Sequence, residues 1–276
     1  MNTVVRCGVE VNVDDVSAGY GAHDVLRSVS WRVSAGRFCG IIGPNGAGKS
    51  TLVRVLGRIL APRRGMVRLD GHDIKRMPAA QYARLVAIAT RVPEYARSFT
   101  VREFMLLGRY PFAGESGRTA QGVIEEALRR CDAAQFSLAR LSELSSGEVQ
   151  RVAVAQAIAQ TPRLLLLDEP TAHLDIAHQV GLLDFIRELT HVRGLTVVGV
   201  FHDLNLASEY CDELLLLSEG RRVRAGSPAE VLVYDILEAV YRTAVVVKEN
   251  PISGKPYVFP VPASWARDRN GTEAAR

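Results

Sequence analysis

Arg37 to Ile59 reads RFCGIIGPNGAGKSTLVRVLGRI. The apolar run before the glycines predicts a buried strand, the glycines a loop, and the stretch after Lys49 a helix. Within it, Gly43–Thr51 fits the pattern G-x-x-x-x-G-K-[ST], with the strand before and the helix after that the pattern requires. Each part has a chemical reason. Glycines let the backbone curl so that its N–H groups face a phosphate, a lysine neutralises the β and γ phosphates, and a hydroxyl at the helix start ligates Mg2+. Gly43, Pro44, Asn45, Gly46, Ala47, Gly48, Lys49, Ser50 and Thr51 are therefore expected to hold a nucleoside triphosphate, with Ser50 on the metal.

Further along, LLLLDEP at Leu164–Pro170 is a hydrophobic strand that delivers Asp168 and Glu169 to its C-terminal end, the edge where parallel sheets bind ligands. By itself such an acidic pair is an ordinary helix cap; coupled to the phosphate loop, Asp168 reads as a Mg2+ ligand through water and Glu169 as the general base for an attacking water. His202 follows the apolar run LTVVGVF and reaches the same sheet edge, where it is expected to contact the γ-phosphate. The stretch LSSGEVQRVAVAQAIA, Leu144–Ala159, poses a different question. Serines and free backbone N–H groups converge there at the positive end of a helix, which describes an anion site, yet no lysine accompanies it.

The order of elements around these motifs is α/β. Alternating strands open the chain, strand and helix alternate around the phosphate loop, helices dominate from Val101 to about residue 159, and the alternation then resumes through RLLLLD, LTVVGVF and the hairpin ELLLLSEGRRVRAG. A helical insert thus interrupts an α/β core. The stretch RDRNGTEAAR at the C-terminal end is expected to fray.

Bulk composition limits the class. With 276 residues and 47% hydrophobic content, the chain can build one large domain or two small ones with an ample core. The formal charge of +4 demands neither nucleic acid nor membrane, and Cys7, Cys39, Cys131 and Cys211 are too scattered for a disulfide framework or a zinc site. No signal-peptide pattern and no window of roughly 18 uncharged apolar residues is present. His23, His72, His173, His178 and His191 read as surface or capping residues, because none has the i, i+4 spacing of a zinc helix.

Taken together, these motifs resemble the nucleotide-binding subunits of ABC transporters, in order and spacing, up to about residue 235. LSSGE at Leu144–Glu148 looks like the family signature, LLLLDEP like its Walker B strand, TAHLD ending at Asp175 like its D-loop, and VFHD like its switch, with His202 as the histidine. Tyr20 matches the aromatic position that stacks on adenine. The resemblance implies ATP and Mg2+ as ligands and a P-loop NTPase (RecA-like) core with an N-terminal antiparallel β subdomain and an inserted helical subdomain. Its boundaries would be an ATPase domain over 1–243, the insert over about 92–160, and a C-terminal extension over 244–276.

It also answers the question posed by the signature helix. In this family two subunits pack head to tail, so Ser145, Ser146, Gly147 and Glu148 of one copy, with Asp175, would face the nucleotide held by Lys49 of the other. The resemblance further implies a homodimer, peripheral at the cytoplasmic face of the inner membrane. It would drive integral-membrane permease subunits through the region from Arg91 to Tyr110 and a substrate-binding protein indirectly through the permease, with no nucleic-acid partner. FTVREFMLLGRYPF and HDLNLASEYCDELLLLSEGRRVRAGSPAEVL resemble the branch that imports iron siderophores, haem and vitamin B12. A non-transport ABC ATPase and an ATP-dependent regulatory module with weak hydrolysis are the alternatives. Two positions depart from the family pattern: Ser146 replaces the first signature glycine, and the Q-loop glutamine is replaced by Arg91 or, in another alignment, by Glu94.

Overall fold

The computed structural model describes residues 8–262 and residue 264. An N-terminal antiparallel sheet comprises β1 (Val11–Tyr20), β2 (His23–Val33), β4 (Arg64–Leu69) and β5 (His72–Asp73), in the order β2-β1-β4-β5. The central sheet has the order β10-β9-β3-β8-β7-β6, built from β3 (Phe38–Ile42), β6 (Val86–Ala89), β7 (Leu164–Asp168), β8 (Thr196–Val200), β9 (Glu213–Ser218) and β10 (Arg221–Gly226). Its strands run parallel from β9 to β6, and only β10 at the edge is antiparallel.

Burial on both faces explains why the central strands are almost wholly apolar. Leu165 and Leu167 of β7 point into one core and Leu164 and Leu166 into the other; Phe38 and Ile42 of β3 oppose Cys39 and Ile41 in the same way. Each such leucine contributes roughly 1.5–3 kcal/mol on removal from water. On one face lie α1 (Lys49–Leu56), α2 (Ala79–Leu85) and the N-terminal sheet. The other carries α6 (Ile176–Arg193) and α7 (Leu204–Tyr210).

The predicted helical insert consists of α3 (Val101–Gly108), α4 (Gly117–Arg130) and α5 (Ser146–Ala159), and its core is continuous with the α6 face of the sheet. Thr100 opens α3 with a capping box to Glu103. Arg109, at the end of α3, is buried; it pairs with Glu115 and donates to Ala159 O at 2.6 Å, tying α3 to the C-terminus of α5.

After α8 (Pro228–Val231) and α9 (Tyr234–Tyr241), β11 (Val245–Glu249) and β12 (Pro256–Pro260) form a hairpin. The first part of the predicted extension is therefore ordered. Asn205 of α7 pairs with Val258 through both side-chain atoms, Ser208 donates to Pro256 O, and Val245 and Val258 join the core. The stretch predicted to fray, and Cys7, lie outside the described residues. Among the described residues no helix is long and apolar enough to cross a membrane.

Candidate functional site

The loop between β3 and α1 follows from its glycines. A Cβ at Gly43, where φ is +145°, would lie 2.1 Å from Leu217 O, so only glycine lets the strand leave the sheet beside β9. Gly46 and Gly48 also have positive φ, and the curl delivers Lys49 to the start of α1. The Lys49 ammonium donates to Gly43 O at 2.7 Å and to Pro44 O at 2.9 Å. Burial lowers its pKa, opposed by the carboxylates of Glu169 and Asp168. A phosphate would exchange those neutral carbonyl partners for charged ones.

The carboxylate pair arrives from β7. Asp168 Oδ1 accepts a hydrogen bond from Ser50 Oγ at 2.8 Å, joining the two residues expected to hold the metal. Burial raises the Asp168 pKa, and the Ser50 hydrogen bond only partly offsets it. A hydroxyl and a carboxylate in contact are the hard oxygen donors that Mg2+ takes, with remaining ligands from phosphate and water. Glu169, beside them, has φ of +55°, an unusual left-handed conformation for this residue type. That backbone turn directs its carboxylate to His202, whose Nε2 is 2.6 Å from Glu169 Oε1. Residues 33 apart in sequence thus meet, because β7 and β8 are parallel neighbours.

A cavity of about 190 Å3 opens over this cluster, lined by Val25, Asn45, Gly46, Lys49, Glu169 and His202 among others. Val25 is a wall that sequence reasoning missed; it also missed Tyr241, which bonds the Gly43 backbone behind the loop and whose hydroxyl burial pushes up to about 12. No pattern in the sequence marks either. Tyr20 is half-exposed on the N-terminal sheet, its hydroxyl accepting from Arg54 of α1 at 2.7 Å.

The signature residues are elsewhere. Ser145, Ser146, Gly147 and Glu148 do not line the cavity over Lys49; Ser145 and Ser146 are exposed at the start of α5. Ser145 caps the helix and Glu148 returns the bond, its carboxylate accepting Ser145 N–H at 2.7 Å; hydrogen bonds from Ser145 lower the Glu148 pKa. Asp175 caps α6 and accepts from His178, which lowers its pKa. Arg91 and Glu94 do not line the cavity over Lys49 either. Arg91 lines a second cavity of about 250 Å3 with Tyr95, Phe104, Leu107 and Gln156, while Glu94 points outward and pairs with Arg97.

Residues 26–172 match the ABC transporter domain family. The chain is 38% identical over 239 residues to a cobalamin import ATP-binding protein of Halobacterium salinarum, covering 86% of this chain and 60% of that protein. It is 34% identical over 251 residues to the ferric enterobactin transport ATP-binding protein of Escherichia coli, covering 90% and 93%. Among solved structures it resembles an ATP-binding cassette captured as a post-hydrolysis dimer with ADP and Pi, at 25% identity and a TM-score of 0.71, covering 79% of this chain and 98% of that one.

Proposed function

This chain belongs to the ABC transporter family, as an ATP-binding cassette with the P-loop NTPase fold, and from that premise we propose that it hydrolyses ATP to drive an importer of metal chelates. The substrate class is that of iron siderophores, haem or cobalamin. The observation that carries the catalytic part is the meeting of Lys49, Ser50, Glu169 and His202 at one cavity, with Asp168 bonded to Ser50 behind it and the 2.6 Å contact between His202 and Glu169.

Lys49 and the loop N–H groups bind the β and γ phosphates, and Glu169 accepts the proton of the water that attacks the γ-phosphorus. His202 orients the Glu169 carboxylate and lies beside the departing phosphate. Ser50 and Asp168 would hold Mg2+, which supplies charge neutralisation at the phosphate oxygens when bound. Tyr20 offers a half-exposed ring for adenine.

The exposed signature turn supports a head-to-tail homodimer, since its anion site has no lysine of its own and lies outside the cavity that has one. The cavity lined by Arg91, Tyr95, Phe104 and Leu107, with Tyr95 80% exposed, offers the seat for an integral-membrane permease at the cytoplasmic membrane face. A substrate-binding protein would act through that permease. In this reading 1–243 is the motor and 244–276 an appended segment.

Replacing Glu169 by Gln keeps the shape but removes the base, so turnover should fall by about a hundredfold or more while ATP still binds. ATP-driven dimerisation, followed by light scattering, should persist in that variant. Hydrolysis at the parent rate by Glu169→Gln would refute the assignment.

A further inference from the structure

The segment 169–175, which carries Glu169 at one end and Asp175 at the other, is held by α5 at three places. At its start, Gln150 Nε2 donates to Glu169 O at 3.3 Å. At its middle, the backbones touch: a Cβ on Gly147 would lie 2.8 Å from His173 O. At its end the connection runs through side chains. Arg151, adjacent to Gln150, is 7% exposed, lies over the Phe136 ring and bonds Asp132 Oδ2. The same Asp132 oxygen is 3.3 Å from His178 Nε2, and His178 Nδ1 is 2.7 Å from Asp175 Oδ1.

We propose that His178 is a positioning residue for ATP hydrolysis, closing a chain Arg151–Asp132–His178–Asp175 that makes the signature turn and the segment behind Glu169 move as one body. It rests on the ATPase reading above. His178 is the only member of the chain that touches both carboxylates, reaching one through each ring nitrogen. Asp132 and Asp175 are largely exposed, so the two His178 contacts contribute little to global stability and act on geometry. The three attachments all involve neighbouring turns of α5, so a displacement of Ser145 and Gly147 by a partner's nucleotide is passed to the backbone that aims Glu169. Without His178 the segment keeps its attachments at Glu169 and His173 and loses the one at Asp175.

Steady-state hydrolysis by the full-length chain tests this. His178→Ala should lower kcat by about tenfold, leave KM for ATP within about twofold, and leave Tm nearly unchanged. Asp132→Asn, tolerated by the left-handed backbone there (φ +50°), should give a similar loss, and the double variant should be no slower than His178→Ala alone. His178→Gln, which still donates one hydrogen bond, should recover part of the rate. Parental kcat in His178→Ala, or losses that multiply in the double variant, would overturn the proposal. Amide exchange gives a readout that needs no turnover: His178→Ala should accelerate exchange at residues 145–149 and 171–178 together, and unchanged exchange at 145–149 would equally overturn the coupling. A parent that fails to hydrolyse ATP refutes the ATPase reading, and the exchange result then still judges the coupling by itself.

Discussion

At Arg91 one side chain is expected to limit a rate without touching the fold. It follows β6 by two residues, at the sheet edge that also carries Asp168 and Glu169, because Ala89 pairs with Leu167. A guanidinium is a donor only and permanently charged, so it cannot ligate a metal. Holding it about 5 Å from a divalent cation would cost roughly 6 kcal/mol at an effective dielectric of about 20. Its side chain instead lines the cavity with Tyr95 and Leu107. Arg91→Gln should therefore raise turnover by about fivefold and leave KM within about twofold, measured as steady-state phosphate release with and without permease. A parent that is slowed by this change would show that Arg91 assists hydrolysis.

Helix α5 is held at both ends. Its N-terminus is a capping box, and its C-terminal carbonyl at Ala159 is held by Arg109 from α3. Arg109 also pairs with Glu115 and lies over the Phe112 ring at 4.3 Å, so one buried guanidinium joins three parts of the helical insert. Truncating it leaves Ala159 O and the Glu115 carboxylate without this partner. Arg109→Ala is expected to destabilise the chain by about 3 kcal/mol, read from urea unfolding, while Arg109→Lys recovers only part because it cannot make the bidentate pair. A change below about 1 kcal/mol would mean the insert is held mainly by its apolar contacts.

In the proposed dimer the site is divided between two surfaces, which would make association part of the chemistry. Lys49 and Ser145 belong to the same chain but not to the same cavity, so in the proposed head-to-tail dimer a complete site would take one from each copy. Lys49→Ala and Ser145→Glu should each be inactive alone. Mixed in equal amounts, they should recover up to about a quarter of the parental sites, because half of the dimers are mixed and each has one intact composite site. Persistent inactivity of the mixture, with mixed dimers verified by native mass spectrometry, would rule out the head-to-tail arrangement.

The phosphate loop was legible in sequence because its chemistry is contiguous: local sterics make glycines curl the backbone, and the lysine and serine follow at fixed offsets on one helix start. Strand identity was equally legible, since burial on both faces leaves unbroken runs such as Leu164–Leu167. Asp168, Glu169 and His202 were placed at a common edge by the rule that parallel strands present their C-terminal ends together, and Glu169 and His202 do meet there. His178 read as a surface histidine because its partners lie 46 residues away at Asp132 and three away at Asp175. Val25 and Tyr241 were invisible for the same reason, and the docking of β11–β12 onto α7 depends on Asn205 and Ser208, which carry no spacing signal. A motif survives in one dimension when backbone geometry imposes it. Contacts between distant segments depend instead on how packed elements approach one another in three dimensions, which local pattern does not encode.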